Sequence, residues 1–267
     1  MPRHPAAGPG RHELGQNFLV DRRVIADVAA VVAATEGPIL EIGPGDGALT
    51  LPLSRLGRPI TAVEIDPRRA KRLDDRTGGH VTVVNEDILF HRVRGEPRVV
   101  VGNVPFHITT AVLRWVLAAP HWRTAVLLVQ WEVARRRAGI GGATMLTART
   151  WPWFDYTVHS RVSRHAFRPV PTVDGGLLVV RRRPVPLVAE REPYQRFVKD
   201  VFTGRGHGLR EILARSARVP PPVAREWLRA NRVPPDALPR DLTAEQWAGL
   251  WAAVRGSPPR EAGRRRS

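Results

Sequence analysis

The sequence contains no cysteine. This absence excludes disulfide bonds, thiolate catalysis and any metal site built from cysteine ligands. Long apolar runs are also missing, since the longest, such as Val28–Ala34, fall far below the roughly 18 residues that a membrane span needs. Residues Met1–Gln16 have no apolar stretch of the kind found in secretory signals. We therefore expect a soluble, cytoplasmic protein without a membrane partner.

Lysine and acidic residues are scarce. Lys71 and Lys199 are the only lysines, and 42 Lys and Arg residues face 25 Asp and Glu residues, which gives a formal net charge of +17. Such an excess points to a polyanionic partner: RNA, DNA or a membrane surface. A biased nucleotide composition of the gene would explain arginine in place of lysine, but it explains the excess of basic over acidic residues less well. We therefore favour a nucleic acid.

The remaining composition fits one large domain with a small appendage. The 267 residues are 43% hydrophobic and include eight Trp and seven Phe, which is enough for a sizeable core and excludes wholesale disorder. Between residues 39 and 138, short apolar runs alternate with helical patterns, which predicts an α/β fold with a parallel, doubly wound sheet. The predicted strands are Ile39–Ile42, Ile60–Val63, Val81–Val84, Val99–Val101 and Ala125–Val129. The predicted helices cover residues 24–32, 48–56, 108–117 and 131–138, and another begins at Pro67.

The pattern changes after the fifth strand. Two runs, Trp151–Val158 and Leu177–Val180, predict an antiparallel hairpin at the sheet edge. Beyond Arg181–Pro186, four helical patterns follow without strands, at residues 194–202, 209–217, 223–231 and 243–254. We therefore expect a flexible basic arm (1–12), an α/β domain (13–184), a small all-helical domain (185–255) and an Arg-rich disordered tail (256–267).

A glycine-rich segment, Glu41–Gly47, follows the first predicted strand and opens a helix. Glycines there let the backbone approach a ligand closely and present helix N-terminal N–H groups to it. Gly43 and Gly45 also fit the dinucleotide-binding fingerprint. Glu64, at the end of the second strand, is placed to accept hydrogen bonds from ribose hydroxyls. NAD and S-adenosylmethionine both carry such a ribose, so these residues indicate a nucleoside ligand without choosing between the two.

Polar residues also follow the third and fourth strands. Asp87 is either an acceptor for an adenine amino group or the N-cap of a helix. In the segment Asn103–Phe106, the Asn103 amide oxygen and the Val104 main-chain carbonyl can both accept hydrogen bonds from an exocyclic amine. Phe106 can stack on the ring that carries this amine. Hydride transfer does not need this set of groups.

These motifs resemble, in order and over nearly the whole chain, the KsgA/Erm family of S-adenosylmethionine-dependent rRNA adenine N6-methyltransferases. The matching segments are Gly15–Leu19 (N-terminal cofactor motif), Glu41–Gly47 (glycine loop), Glu64 (ribose acceptor), Glu86–Ile88 (adenine pocket), Asn103–Phe106 (catalytic loop) and Phe167–Pro171 (a second wall of the target-base pocket). Val104 departs from the family, which has Leu or Ile there. Because that position acts through its backbone, we expect little effect.

The resemblance implies a Rossmann-like methyltransferase sheet with a small C-terminal all-helical domain, S-adenosyl-L-methionine as the cofactor, and no metal. The catalytic residues that it implies are Asn103, Val104, Phe106 and Phe167. The cofactor-binding residues that it implies are Gln16, Asn17, Leu19, Gly43, Gly45, Glu64, Ile65, Asp87, Ile88 and Asn103. Phe106 and Phe167 are expected to hold the flipped adenine between their rings.

Two classes compete within the family. Erm enzymes modify one adenine of 23S rRNA and confer resistance to macrolides, lincosamides and streptogramin B, whereas KsgA-type enzymes dimethylate two adjacent adenines of 16S rRNA. Residues 129–135, residues 141–154 and the Arg-rich tail look like actinomycete Erm proteins. The resemblance therefore implies an Erm-type monomer that acts on naked or pre-assembly 23S rRNA, with the KsgA-type activity as the alternative.

Two rival functions lie outside the family. A nicotinamide oxidoreductase would share the glycine loop and Glu64, but it leaves Asn103–Phe106 and the basic charge unexplained. A non-catalytic RNA-binding protein on the same fold would keep the charge but need not retain the cofactor residues.

Overall fold

A computed structural model describes residues 17–95, 98–216 and 219–256. The predicted basic arm, all of the predicted tail after Gly256, and the candidate cofactor residue Gln16 lie outside these ranges. The strands are β1 (Phe18–Leu19), β2 (Ile39–Ile42), β3 (Ile60–Glu64), β4 (Thr82–Asn85), β5 (Arg98–Asn103), β6 (Trp122–Gln130), β7 (Phe154–Val162), β8 (Phe167–Arg168) and β9 (Gly175–Arg182). The α-helices are α1 (Arg22–Ala33), α2 (Thr50–Ser54), α3 (Pro67–Thr77), α4 (Thr109–Ala118), α5 (Trp131–Arg137), α6 (Met145–Thr150), α7 (Arg191–Phe202), α8 (Leu209–Arg215), α9 (Pro221–Ala230) and α10 (Ala244–Arg255).

Seven strands form one mixed sheet in the order β4-β3-β2-β5-β6-β9-β7. The first five of these are parallel neighbours, and β9 runs antiparallel to β6. All four residues of β2 are buried, as are six consecutive residues of β6, because helices cover both faces of a parallel sheet. The predicted Rossmann-like sheet with C-terminal helices is confirmed.

Most predicted elements are present, with shifted ends. β7 and β9 are neighbours at the sheet edge, as predicted, but β7 begins at Phe154 because residues 151–153 form a turn. The predicted helix over residues 48–56 is reduced to α2. The sequence did not predict the small second sheet, in which β1 pairs antiparallel with β8 and Leu19 faces Phe167.

The chain divides into two compact units. Unit 1 comprises the described parts of Met1–Ala134 together with Thr157–Arg181, and unit 2 comprises Arg135–Tyr156 together with the described residues from Arg182 onward. Unit 2 therefore takes residues from two separate stretches of the chain. The expected domain boundary between residues 184 and 185 stays a prediction.

Unit 2 is helical and rich in aromatic contacts. The Tyr194 ring meets Trp153 and Trp251 edge to face, at centroid distances of 5.6 and 6.0 Å. Phe202 stacks on Trp247 at 5.7 Å. These contacts involve three of the eight Trp residues of the sequence. No helix in the described residues is both long and apolar enough to cross a membrane.

Candidate cofactor and target-base site

A cavity of about 420 Å³ lies in unit 1, at the carboxyl ends of β2, β3, β4 and β5. Open α/β sheets bind ligands at this edge, where the loops after neighbouring strands converge. The predicted site residues that line it are Asn17, Leu19, Gly43, Gly45, Glu64, Ile65, Asp87, Ile88, Asn103, Val104 and Phe106. The structure thus brings together residues from five segments of the sequence.

The glycine loop after β2 forms one wall of this cavity. Gly43 and Gly45 have φ values of +61° and +56°, which a side chain would strain. A Cβ atom at Gly43 would meet no atom within 4 Å, so this backbone borders open space, whereas one at Gly45 would come within 3.4 Å of the Phe18 ring. The loop therefore offers bare backbone to a ligand.

Glu64 joins the end of β3 to the glycine loop. Its side chain is buried, with 3% of the residue exposed. One carboxylate oxygen, Oε2, accepts from the Gly45 N–H at 3.0 Å, and Oε1 accepts from the Asp66 N–H at 2.9 Å. A carboxylate has about four acceptor sites, so both oxygens keep capacity for ligand hydroxyls.

Glu41, within β2, is a site residue that the sequence analysis did not select. It lines the cavity and is 1% exposed, and its Oε2 has no hydrogen-bond partner in the described residues. Burial raises the pKa of Glu41 to about 7; Thr50 lowers this pKa and Glu64 raises it. An acidic residue inside the apolar run Ile39–Ile42 was the available signal, because carboxylates are almost never fully buried without a reason.

The segment after β4 supplies a carboxylate and an apolar wall. Asp87 Oδ1 accepts from the Leu89 N–H at 2.9 Å, so this side chain caps a turn while it lines the cavity. Ile88 is buried and Ile65, after β3, is half exposed, and both line the cavity. Together they form an apolar surface beside a hydrogen-bond acceptor, which suits a purine ring with an amino group.

Asn103 ends β5 and is oriented by the N-terminal segment. Its Nδ2 donates to the main-chain oxygen of Asn17 at 2.7 Å. Because a carbonyl oxygen only accepts, this bond identifies which end of the amide is nitrogen and leaves Oδ1 as an acceptor. Val104 is buried and its N–H donates to Leu128 O at 3.0 Å, which anchors the loop to β6.

The two phenylalanines differ from the expected arrangement. Phe106 lines the cavity, whereas Phe167 is fully buried and is not among the lining residues. Their ring centroids are 6.2 Å apart with planes at 69°, an edge-to-face contact. Two parallel walls around a base are not present here, because the edge of one ring meets the other. In this arrangement Phe167 supports Phe106.

Arg69 links the N-terminal segment, residues 17–19, to the glycine loop. Its guanidinium lies 4.4 Å from the Phe18 ring centroid, and its Nη1 donates to Asp46 Oδ1 at 2.7 Å. The segment thus touches the glycine loop through Phe18, Asn103 through Asn17, and Phe167 through the pairing of Leu19. It links the cofactor wall to the catalytic loop.

Comparison with known proteins agrees with this geometry. Residues 9–253 match the family model for ribosomal RNA adenine dimethylase. The chain is 52% identical over 265 residues to the mycinamicin-resistance protein MyrB of Micromonospora griseorubida, which covers 97% of this chain and 84% of that protein. It is 54% identical over 213 residues to an rRNA adenine N-6-methyltransferase of Corynebacterium diphtheriae, which covers 79% of this chain and 84% of the relative.

A solved structure is similar over almost the same length. The crystal structure of the 23S rRNA methyltransferase ErmE superposes with a TM-score of 0.83 at 37% identity, covering 90% of this chain and all of that one. The chain belongs to the ribosomal RNA adenine dimethylase family, as an Erm-type rRNA adenine N6-methyltransferase that uses S-adenosyl-L-methionine.

Proposed function

We propose that this protein methylates N6 of an adenine in 23S rRNA and thereby confers resistance to macrolides, lincosamides and streptogramin B. One observation carries the site assignment. Asn103 stands at the cavity with its Nδ2 bound to Asn17 and its Oδ1 left as an acceptor, which is the orientation needed to receive a hydrogen bond from an exocyclic amine. The names of the relatives, a mycinamicin-resistance protein and a 23S rRNA methyltransferase, support the target and the phenotype.

The cavity suits the cofactor's charges. S-adenosyl-L-methionine supplies a methyl group that its positive sulfonium already activates, and it also carries an ammonium group and a ribose. We assign the ribose hydroxyls to Glu64 and the ammonium group to the unsatisfied Oε2 of Glu41. The other proposed cofactor contacts are Gln16, Asn17, Leu19, Gly43, Gly45, Ile65, Asp87, Ile88 and Asn103.

The catalytic loop acts on the target nitrogen. The N6 lone pair of adenine is delocalised into the ring, so this nitrogen is a poor nucleophile. Hydrogen bonds from its two protons to Asn103 Oδ1 and the Val104 carbonyl favour a pyramidal nitrogen whose lone pair is available. Phe106 stacks on the base, and Phe167 holds the Phe106 ring from behind.

The net charge of +17 suits an RNA substrate. The target adenine must leave its stack, which is easier in a single-stranded loop than in a duplex. The proposal includes a monomer in the cytoplasm that acts on naked or pre-assembly rRNA. RNA affinity then falls steeply as salt rises, because each phosphate contact releases counterions. A flat salt dependence would mean that the charge is a compositional bias.

Resistance in living cells tests the proposal. Expression in a macrolide-sensitive bacterium should raise resistance to a macrolide and to a lincosamide together. The Asn103→Ala variant, expressed to the same level, is the matched control and should leave resistance at background. Background resistance with the wild-type protein, combined with new methyl groups on adenines of the small subunit, would establish the KsgA-type alternative instead.

A further inference from the structure

Phe90 is the one exposed aromatic side chain of the described chain. It is 76% exposed, whereas every other Phe, Tyr and Trp in these residues is buried or half-buried. At this exposure its ring contributes little to the core, so the core does not explain why an aromatic residue stands there.

The loop that carries Phe90 lies between the cofactor pocket and α4. The Phe90 N–H donates to the main-chain oxygen of Asp87 at 2.9 Å, and Asp87 and Ile88 line the cavity. On the other side, Trp115 Nε1 donates to the main-chain oxygen of His91 at 3.2 Å. Trp115 belongs to α4, the first α-helix after the catalytic loop, so the Phe90 loop contacts both the cofactor pocket and the helix that follows the catalytic loop.

The surroundings of Phe90 are basic. Arg92 and Arg94 are exposed, and neither has an ion pair within the described residues. The two acidic residues that the structure describes in this loop are already engaged, since Glu86 lies 2.8 Å from the His91 ring nitrogen and Asp87 caps the turn at Leu89. The third acidic residue of the loop, Glu96, lies outside the described residues. An exposed ring with exposed guanidinium groups two and four residues further along the chain is a combination that binds single-stranded nucleic acid through stacking and phosphate contacts.

We propose that Phe90 stacks on a nucleotide near the target adenine while Arg92 and Arg94 contact its phosphates. This inference rests on the proposed RNA substrate and adds a binding surface outside the cofactor and target-base pocket. The observations favour RNA over a second copy of the chain as the partner of the Phe90 loop. A stable dimer buries about 800 Å² per partner, and Phe90 is the single exposed large hydrophobic residue of this loop.

Substitutions at Phe90 separate stacking from apolar contact. We measure the Kd of an RNA fragment containing the target adenine, with 2-aminopurine placed in turn at each flanking position as a fluorescent reporter of stacking. Phe90→Ala and Phe90→Leu should both weaken RNA binding by roughly five- to a hundredfold and remove the quenching at one flanking position. Phe90→Trp should retain both. Val185→Ala is the matched control, because Val185 is 78% exposed in unit 2 and should leave the Kd unchanged.

Three results would overturn the inference. They are wild-type RNA affinity in Phe90→Ala, wild-type affinity in Phe90→Leu, and a dimer of the wild-type protein that Phe90→Ala dissociates in sedimentation. Methylation of the same fragment by the wild-type protein is measured alongside. If the wild type methylates and Phe90→Ala binds equally well, the inference alone fails. If the wild type neither binds nor methylates the RNA, the proposed function fails and the inference falls with it.

Discussion

Unit 1 buries the carboxylates of Glu41 and Glu64 beside its cavity, whereas unit 2 buries the phenols of Tyr156 and Tyr194. Burial raises the pKa of Glu41 to about 7 and raises those of the two tyrosines far above their usual range. The tyrosines therefore stay neutral, and Glu41 can titrate near neutral pH.

The buried groups also differ in whether the protein satisfies their hydrogen bonds. The Tyr156 hydroxyl lies 2.6 Å from Thr150 Oγ1, and Tyr194 donates to Ala148 O at 2.9 Å. Glu41 Oε2 has no such partner within residues 17–95, 98–216 and 219–256, and the glycine loop nearby presents backbone without side chains at Gly43 and Gly45. A buried polar group satisfied by its own protein stabilises the fold, while an unsatisfied carboxylate oxygen of a residue that lines a cavity, as in Glu41, indicates a ligand. The predictions below test this difference.

The largest expected effect is that of Asn103→Ala on catalysis. The methyl-transfer rate should fall roughly a hundred- to a thousandfold, because the hydrogen bond matters most as the nitrogen pyramidalises. Cofactor affinity should hardly change, because Glu64 and the glycine loop supply most of the proposed cofactor contacts and Asn103 supplies only a small part. Asn231→Ala in unit 2 is the matched control, since Asn231 Nδ2 also donates to a main-chain oxygen, that of Trp227, at 2.9 Å. Single-turnover assays on an rRNA fragment measure the methyl-transfer rate. A rate near that of the wild type in Asn103→Ala would show that the loop Asn103–Phe106 is only a structural turn.

Glu41→Gln should change how stability depends on pH. A carboxyl group with a pKa near 7 in the folded state ionises first in the unfolded state, at about 4.5, so the wild-type protein loses stability as pH rises between these values. A glutamine has no such proton. We measure the free energy of unfolding in urea without cofactor. The difference between the variant and the wild type should change in favour of the variant by roughly 2–3 kcal/mol from pH 5 to pH 8. A difference that is constant with pH would show that Glu41 is ionised throughout.

Glu64→Gln should weaken cofactor binding roughly ten- to a hundredfold. The variant loses a charged acceptor, and its amide nitrogen would face one of two backbone donors, Gly45 N–H or Asp66 N–H. Isothermal titration with S-adenosyl-L-methionine measures this, with Glu190→Gln, which breaks an ion pair to Arg255 in unit 2, as the control. Unchanged affinity in a folded Glu64→Gln protein would remove the ribose assignment.

Tyr156→Phe should give the smallest effect. Loss of its bond to Thr150 should lower the free energy of unfolding by about 1 kcal/mol. Because the phenol stays neutral, this loss should be the same at pH 5 and pH 8, in contrast to Glu41→Gln. Thermal or urea unfolding at both pH values provides the measurement. A loss of stability that grows from pH 5 to pH 8 would contradict the difference between Tyr156 in unit 2 and Glu41 in unit 1.

Local patterns were sufficient for the sheet and for much of the site. Buried parallel strands appear as apolar runs, and the glycine loop and Asn103–Phe106 follow such runs directly, so their common edge could be predicted. The expected two-ring sandwich differs from the structure because the orientation of Phe167 depends on β8, which pairs with β1 far away in the chain.

The sequence alone could not predict the long-range contacts of the site. Nothing near Asn103 indicates that its amide binds the main chain of Asn17, since the two residues are 86 positions apart. The contact of Arg69 with Phe18 likewise depends on how α3 and β1 meet at the glycine loop. Glu41 was missed for another reason. Its place in an apolar run indicated burial, but the lack of a hydrogen bond to Oε2 among the described residues is visible only in the structure.

Mass spectrometry of rRNA tests the central claim most directly. Ribosomal RNA is taken from cells that express the wild-type protein or Asn103→Ala, and the number and position of N6 methyl groups are compared. The account predicts new methylation of one adenine in 23S rRNA with the wild type and none with the variant. Methylation of two adjacent adenines in 16S rRNA, or equal 23S methylation by Asn103→Ala, would contradict it.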